Sequence, residues 1–235
     1  MPYNILLVDD DVAFRKEFAE CFEDYRFIEA GNGEEGLKIL RKPNEIDLVI
    51  LDVMLPGRRG TDVLREIKRI EPSLGVIILT GFSSKDVAVE ALKGNADDYI
   101  EKPVDIKKAE RIIADMLLNN TPDQQRYSDD INGKIERVKS FLRRNYHKKV
   151  NLEDAAEIVC LSPKYLSRIF KENTGESFSE YRLRFKIEKA KELLEVTGQT
   201  VNEISYKMGY NNLESFIRIF KKLEGCTPTE FRDST

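Results

Sequence analysis

Ile46-Asp47-Leu48-Val49-Ile50-Leu51-Asp52 decides how this chain is read, because an apolar run ends there on a lone carboxylate. A second run, Ile5-Leu6-Leu7-Val8, ends in the same way on Asp9-Asp10-Asp11. Apolar stretches of about four to six residues, bounded by turn signals and separated by helix-period segments, mark buried parallel strands. In a doubly wound sheet such strands deliver their last residues to one crevice, where ligands bind. Charge is expensive to bury, so acids at two strand ends need a partner, and a hard cation such as Mg2+ supplies one. With the cluster neutralised, Asp52 can serve as a carboxylate nucleophile and accept a phosphoryl group.

Outward from these runs the pattern repeats. Strands are expected near Asn4–Val8, Arg26–Ala30, Asp47–Leu51, Val76–Thr80 and Tyr99–Glu101. Helices are expected near Val12–Phe22, Gly33–Leu40, Gly60–Ile70, Ser84–Leu92 and Asp105–Leu118. The alternation predicts an α/β doubly wound five-stranded parallel sheet with helices on both faces. It occupies residues 1–118. Residues 119–130 begin Asn119-Asn120-Thr121-Pro122-Asp123-Gln124-Gln125 and read as a polar linker. Residues 131–235 carry helical periodicity and no strand pattern, which predicts an all-α domain.

The length of 235 residues suits two domains, each able to bury a core. No run of about eighteen apolar residues occurs, and no basic segment leads into an apolar one at the N-terminus. A soluble, cytoplasmic chain with no membrane partner is the expectation. Cys21, Cys160 and Cys226 are widely spaced, with no CxxC, which suits a reducing compartment rather than a disulfide framework or zinc site. The net charge of −4 divides into −7 over residues 1–120 (17 Lys/Arg, 24 Asp/Glu) and +3 over residues 121–235 (21 and 18). So mild a basic excess does not by itself point to nucleic acid; the placement of side chains must.

Asp9, Asp10, Asp52, Thr80 and Lys102 each fall at an expected strand end or just beyond. Asp10 and Asp52 suit direct Mg2+ ligation, with Asp9 acting through water, since Mg2+ keeps part of its hydration shell. Thr80 offers a hydroxyl to a phosphoryl oxygen, and Lys102 a mobile ammonium to the same charge. Asp11 suits the start of the first helix better than a metal, because acids favour that position.

Leu7-Val8-Asp9-Asp10-Asp11, Leu51-Asp52-Val53-Met54-Leu55-Pro56-Gly57, Leu79-Thr80-Gly81 and Ala96-Asp97-Asp98-Tyr99-Ile100-Glu101-Lys102-Pro103 stand in that order. In these four segments residues 1–118 resemble the receiver domain of two-component response regulators. The resemblance implies a flavodoxin-like fold, a sensor histidine kinase as phosphoryl donor to Asp52, and Mg2+ held with help from the Met54 backbone carbonyl. It further implies a cis Lys102–Pro103 bond and Tyr99 as an aromatic switch coupled to Thr80; phosphorylation is then expected to change the outer surface and promote a homodimer or free the helical half.

The helical half contains an internal repeat. Tyr165–Arg182 (YLSRIFKENTGESFSEYR) aligns without gaps on Ser215–Arg232 (SFIRIFKKLEGCTPTEFR), sharing Arg168/Arg218, Ile169/Ile219, Phe170/Phe220, Lys171/Lys221, Gly175/Gly225, Glu180/Glu230 and Arg182/Arg232. Each copy ends a helix-turn-helix pattern. In the first, Leu152–Val159, the turn Cys160-Leu161-Ser162 and a helix from Pro163 follow one another; Ser162 suits a cap and Pro163 a first helical turn. In the second, Val201–Met208 leads through Gly209-Tyr210-Asn211-Asn212 into a helix ending near Lys222. Between the copies, Ser179–Val196 reads as one long helix with Phe185, Ala190, Leu193 and Leu194 toward the core. Ser162, Lys164, Tyr165 and Arg168, and then Asn212, Ser215 and Arg218, lie outward on the second helices. Such side chains suit major-groove readout of double-stranded DNA; Tyr165 suits a backbone contact or packing equally.

Leu161-Ser162-Pro163-Lys164-Tyr165-Leu166-Ser167-Arg168-Ile169-Phe170-Lys171, Lys189-Ala190-Lys191-Glu192-Leu193-Leu194 and Gly225-Cys226-Thr227-Pro228-Thr229-Glu230-Phe231-Arg232 resemble an AraC-type DNA-binding domain. Cys160 stands where that family usually has Gly and would need a positive φ; Ser205 replaces a usual Ala and Lys186 a usual Arg. The whole is read as a phosphorylation-dependent transcriptional regulator and not an enzyme. An aspartyl-phosphate phosphatase would want a second acid two residues after Asp52, where Met54 stands. Met54 and Phe82 also lack groups to orient a hydrolytic water, which predicts a long-lived phosphorylated state.

Overall fold

The computed structural model describes residues 3–81, 96–120 and 130–234. Its contacts divide the chain into two compact units, Met1–Arg126 and Tyr127–Thr235.

In the first unit the described elements run β1 (Asn4–Val8), α1 (Val12–Glu20), β2 (Arg26–Ala30), α2 (Gly33–Arg41), β3 (Leu48–Asp52), α3 (Gly60–Ile70), β4 (Gly75–Gly81), β5 (Asp98–Lys102) and α4 (Ile106–Asn120). The sheet has five parallel strands in the order β2-β1-β3-β4-β5, a doubly wound arrangement with its switch point between β1 and β3. The central strands read as continuous apolar runs because both their faces are covered. Leu6, Val8, Val49, Leu51, Val76 and Ile78 meet α2 and α3 on one face. Ile5, Leu7, Ile50, Leu79 and Ile100 meet Phe18 of α1 and Ala109, Ile113 and Leu117 of α4 on the other.

Asp47–Leu51 was the expected third strand; the observed one starts a residue later and takes in Asp52, opposite Leu79. Asp47 instead ties the strand's entrance, its carboxylate accepting from the Asn4 N–H at 2.8 Å. The first helix stops at Glu20 rather than Phe22, with Cys21 as its C-cap. Asp11 caps α1, accepting from the Ala13 and Phe14 N–H groups. Gly60 lets α3 start hard against the end of β3: a Cβ there would stand 2.4 Å from the Asp52 carbonyl oxygen. The helix expected at Ser84–Leu92, Phe82 and linker residues 121–129 lie outside the described residues.

The second unit is helical throughout its described residues: α5 (Ile131–Arg144), α6 (Leu152–Ile158), α7 (Pro163–Thr174), α8 (Phe178–Val196), α9 (Val201–Lys207), α10 (Leu213–Glu224) and α11 (Pro228–Asp233). It has two cores joined by α8. Phe178 and Tyr181 of α8 pack with Phe141, Ala155, Leu166 and Phe170; Ile187, Ala190 and Leu194, further along, pack with Ile204, Met208, Phe216 and Phe220. Phe170 and Phe220, identical in the repeat, are fully buried, one in each core.

The repeated unit is longer in space than in sequence. Asn151 and Thr200 cap α6 and α9 in capping boxes with Asp154 and Glu203. Gly175 and Gly225 end α7 and α10 at φ 78° and 81°. Ser177 and Thr227 cap α8 and α11 in boxes with Glu180 and Glu230. Capping chemistry is kept where apolar identities have drifted, because it satisfies amides that the helix itself leaves bare. Cys160 adopts φ 53°, as its place in the first turn required. One expectation is corrected: on α8 it is Lys186 that is buried, whereas Phe185 is only half-buried and meets the Tyr146 ring edge-on at 6.3 Å.

Candidate functional site

Three strand ends build an acidic pocket. Asp9, just past β1, is fully buried; Asp52, ending β3, is 6% exposed; Asp10 is exposed. Their carboxylate oxygens all lie within 4.8 Å of one another. Backbone amides of the following loops fix two of them, the Asp11 N–H donating to Asp9 Oδ1 at 2.9 Å and the Met54 N–H to Asp52 Oδ1 at 2.8 Å. Lys102, ending β5, reaches in from across the sheet and donates to Asp9 Oδ2 at 2.6 Å and to Asp52 Oδ2 at 2.5 Å.

The electrostatics explain why such a pocket needs cations. Burial pushes the Asp9 carboxyl above its ordinary range, against the lowering effects of the Lys102 hydrogen bond and the Asp11 amide. Burial alone would pull the Lys102 ammonium down, but its hydrogen bonds to Asp52 and Asp9 outweigh that and raise it. Three convergent carboxylates around one lysine still leave an excess of negative charge. An all-oxygen donor set of this kind fits a hard divalent cation.

Thr80 is 2% exposed, and its hydroxyl approaches the Gly81 carbonyl at 3.4 Å. The β4–β5 register sets Thr80 opposite Glu101 and Gly81 opposite Lys102, so the hydroxyl and the ammonium stand at neighbouring strand ends. Among the described residues, a Cβ on Gly81 would meet nothing within 4 Å. Tyr99 pairs with Ile78 on β4, shares the sheet face of Thr80, and is half-buried against that face's core. The Lys102–Pro103 bond is cis.

Two residues that sequence reasoning missed belong to this pocket. The Phe14 ring lies under the Lys102 ammonium, 4.4 Å from Nζ to the ring centroid. Arg15, buried on the same helix, donates from Nη1 to the Asp9 carbonyl at 2.7 Å and from Nε to Glu29 at 2.8 Å. Both sit one turn after the acids, yet a ring and a cation in an amphipathic helix carry no signal that they point back toward a strand end.

On the helical unit the expected readers occupy two matching second helices. Lys164, Tyr165 and Arg168 are exposed on α7, with the Arg168 guanidinium 5.2 Å from the Tyr165 ring centroid and 3.7 Å from Glu172. Leu152 of α6 joins Lys164, Arg168 and Lys171 around an open groove of about 660 Å³. On α10, Asn212 and Arg218 are exposed and Ser215 is half-buried. Ser162 and Asn212 are also the caps of these helices, accepting from the Tyr165 and Ser215 amides at 3.3 and 2.8 Å.

The comparisons with known proteins divide the chain in the same way. Residues 5–114 match the family model described as the response regulator receiver domain, and residues 155–234 one described as a helix-turn-helix domain. A response regulatory protein of Staphylococcus epidermidis is 27% identical over 250 residues, covering 97% of this chain and 98% of its own length. The transcriptional regulatory protein ZraR of Klebsiella oxytoca is 38% identical over 116 residues, 48% of this chain and 26% of its own. Among solved structures, a response regulator receiver domain from Clostridium thermocellum is 34% identical, with TM-score 0.48, covering 51% of this chain and 97% of that one.

Proposed function

Since the chain belongs to the response regulators, with a receiver domain and an AraC-type helix-turn-helix domain, we propose that Asp52 is its phosphoacceptor. The protein is a phosphorylation-regulated, DNA-binding regulator of transcription. One observation carries the assignment of Asp52: its carboxylate lies among Asp9, Asp10 and the Lys102 ammonium at the mouth of a parallel sheet. Asp9, Asp10, Asp52 and the Met54 carbonyl would hold Mg2+, which when bound supplies charge neutralisation to phosphoryl oxygens.

A sensor histidine kinase is the donor in this reading. A carboxylate oxygen of Asp52 attacks phosphorus, a P–O bond forms as the P–N bond of a phosphohistidine breaks, and the freed imidazole takes a proton. Lys102 then exchanges the Asp52 carboxylate for a phosphoryl oxygen, which is why a mobile ammonium rather than a fixed guanidinium suits the position. Thr80 donates its hydroxyl to the same group, and Tyr99, on the same sheet face, follows it inward. The added charge of about −1.5 to −2 drives these moves, and the altered surface promotes a homodimer.

The output is DNA binding by the two modules. Ser162, Lys164, Tyr165 and Arg168 read one major groove, and Asn212, Ser215 and Arg218 the next, about 34 Å along the same face of the duplex. Residues 1–118 form the receiver, 119–130 the linker and 131–235 the DNA-binding domain. The protein is cytoplasmic and does no catalysis beyond its own phosphorylation; among the described residues no helix is long and apolar enough to cross a membrane.

Acetyl phosphate with Mg2+ tests the centre of this proposal. Intact-mass measurement should give one added phosphoryl group on the wild type and none on Asp52→Ala. Equal phosphorylation of the two proteins would remove Asp52 from its role.

A further inference from the structure

One arginine ties each reading module shut. Arg182, near the start of α8, donates from Nη1 to the Val150 carbonyl. Arg232, on α11, donates from Nη2 to the Gln199 carbonyl at 2.6 Å and from Nε to the Leu194 carbonyl at 3.3 Å. Val150 and Gln199 are equivalent: each immediately precedes the N-cap of its module's first helix, Asn151 for α6 and Thr200 for α9. Arg182 and Arg232 are themselves equivalent in the sequence repeat. The same bond therefore closes both copies, from the helix after the second helix back to the entrance of the first.

Arginine in a DNA-binding domain ordinarily reads as a phosphate contact. Here both side chains are half-buried, and Arg182 through Nη1 and Arg232 through Nε and Nη2 donate to main-chain carbonyls. Carbonyls just upstream of a capped helix lie outside its own ladder, so a guanidinium fork gives them charged partners with fixed geometry. What the bond sets is where the first helix stands against the second. In the first copy the consequence is visible, because Leu152, two residues past Val150, shares its groove with Lys164, Arg168 and Lys171.

We infer that Arg182 and Arg232 are positioning residues that each hold one module's two helices in DNA-reading register without touching DNA. The inference rests on the DNA-reader assignment above. A duplex selected from a random pool by the phosphorylated full-length protein is the probe, and affinity and hydroxyl-radical footprints are measured across a salt series. Arg182→Met and Arg232→Met should each weaken binding roughly tenfold, the order of a lost charged hydrogen bond. The slope of log K against log salt should stay at the wild-type value, and protection should fade over different halves of the site.

A phosphate contact would instead lower that slope by about 0.9 per residue, and that result overturns the inference. Wild-type affinity and footprint in a folded variant, or loss of the same half by both, overturns it as well. Arg182→Lys and Arg232→Lys, which keep the charge and one donor, should bind with intermediate affinity; they carry the test if a methionine variant does not fold. Failure of the wild type to select any duplex refutes the reader assignment itself, a separate outcome.

Discussion

Replacing Lys186 by arginine exposes how the helical unit carries a buried charge. Lys186 is 8% exposed. Its ammonium donates to the Met208 carbonyl at 2.9 Å and the Lys148 carbonyl at 3.3 Å, and lies 5.6 Å from the Tyr210 ring centroid. Among the described residues no carboxylate forms an ion pair with it. Burial, and then the charge of Arg182, pull the ammonium from 10.5 down to about 8. Between those values the unfolded chain binds a proton that the folded one has released, so stability rises with pH across the window. Below about pH 8 the penalty for burying the charge is present in full; near pH 10.5 it is gone. At about 1.36 kcal/mol per pH unit the whole window amounts to roughly 3 kcal/mol.

Arginine stays charged throughout, and the other titrating groups are common to both proteins. Burial holds the Tyr210 phenol above its ordinary value, so it stays neutral over most of the range. Urea unfolding followed by far-ultraviolet circular dichroism, between about pH 7 and pH 10, gives the difference in stability between wild type and Lys186→Arg. The difference should be flat up to about pH 7.5 and then move in favour of the wild type by roughly 2–3 kcal/mol by pH 10. A difference that stays flat to pH 10 would mean that the two carbonyls and the ring hold the proton as firmly as water does, and the desolvation argument would fall.

Lys102→Ala should still take a phosphoryl group from acetyl phosphate but lose phosphate-dependent DNA binding; a wild-type response in a DNA-binding titration would contradict the role given to the ammonium. Gly209→Ala should cost markedly more stability than Gly225→Ala. Both glycines have positive φ, 75° and 81°, but a Cβ on Gly209 would stand 2.3 Å from the His147 carbonyl oxygen while one on Gly225 meets nothing within 4 Å. The backbone conformation alone costs about 1–2 kcal/mol and the clash adds about 1–3 kcal/mol; equal losses on urea unfolding would deny the close approach. Arg168→Ala and Arg218→Ala should each lose about 1–3 kcal/mol of binding if the contact is a bidentate one to guanine. Their footprints should shrink over different segments, and identical shrinkage would argue against two separate readers.

The parallel sheet and the acids at its strand ends were legible in the sequence. Those follow from local patterns: apolar runs too short for helices, broken at regular intervals, each closing on a residue whose charge has no place inside. So was the doubled helical reader, because Arg-Ile-Phe-Lys and the glycine after it recur with the same offset in both copies. The positive φ at Cys160 was legible as well, from the turn in which it stands. What those residues face was set by the packing of segments distant in the chain. Asp9 is fully buried, and Lys102 comes to it from 93 positions away, over a phenylalanine ring that no pattern marks. On α8, periodicity offered Phe185 to the core, and the packing of two modules on one helix turned Lys186 inward instead. Arg182 and Arg232 show the same limit, since a repeat reveals that two side chains are equivalent but not which carbonyls they reach. Burial, and partners far apart in the chain, arise from the meeting of distant segments, and a pattern read along one segment holds no information about the segment it meets.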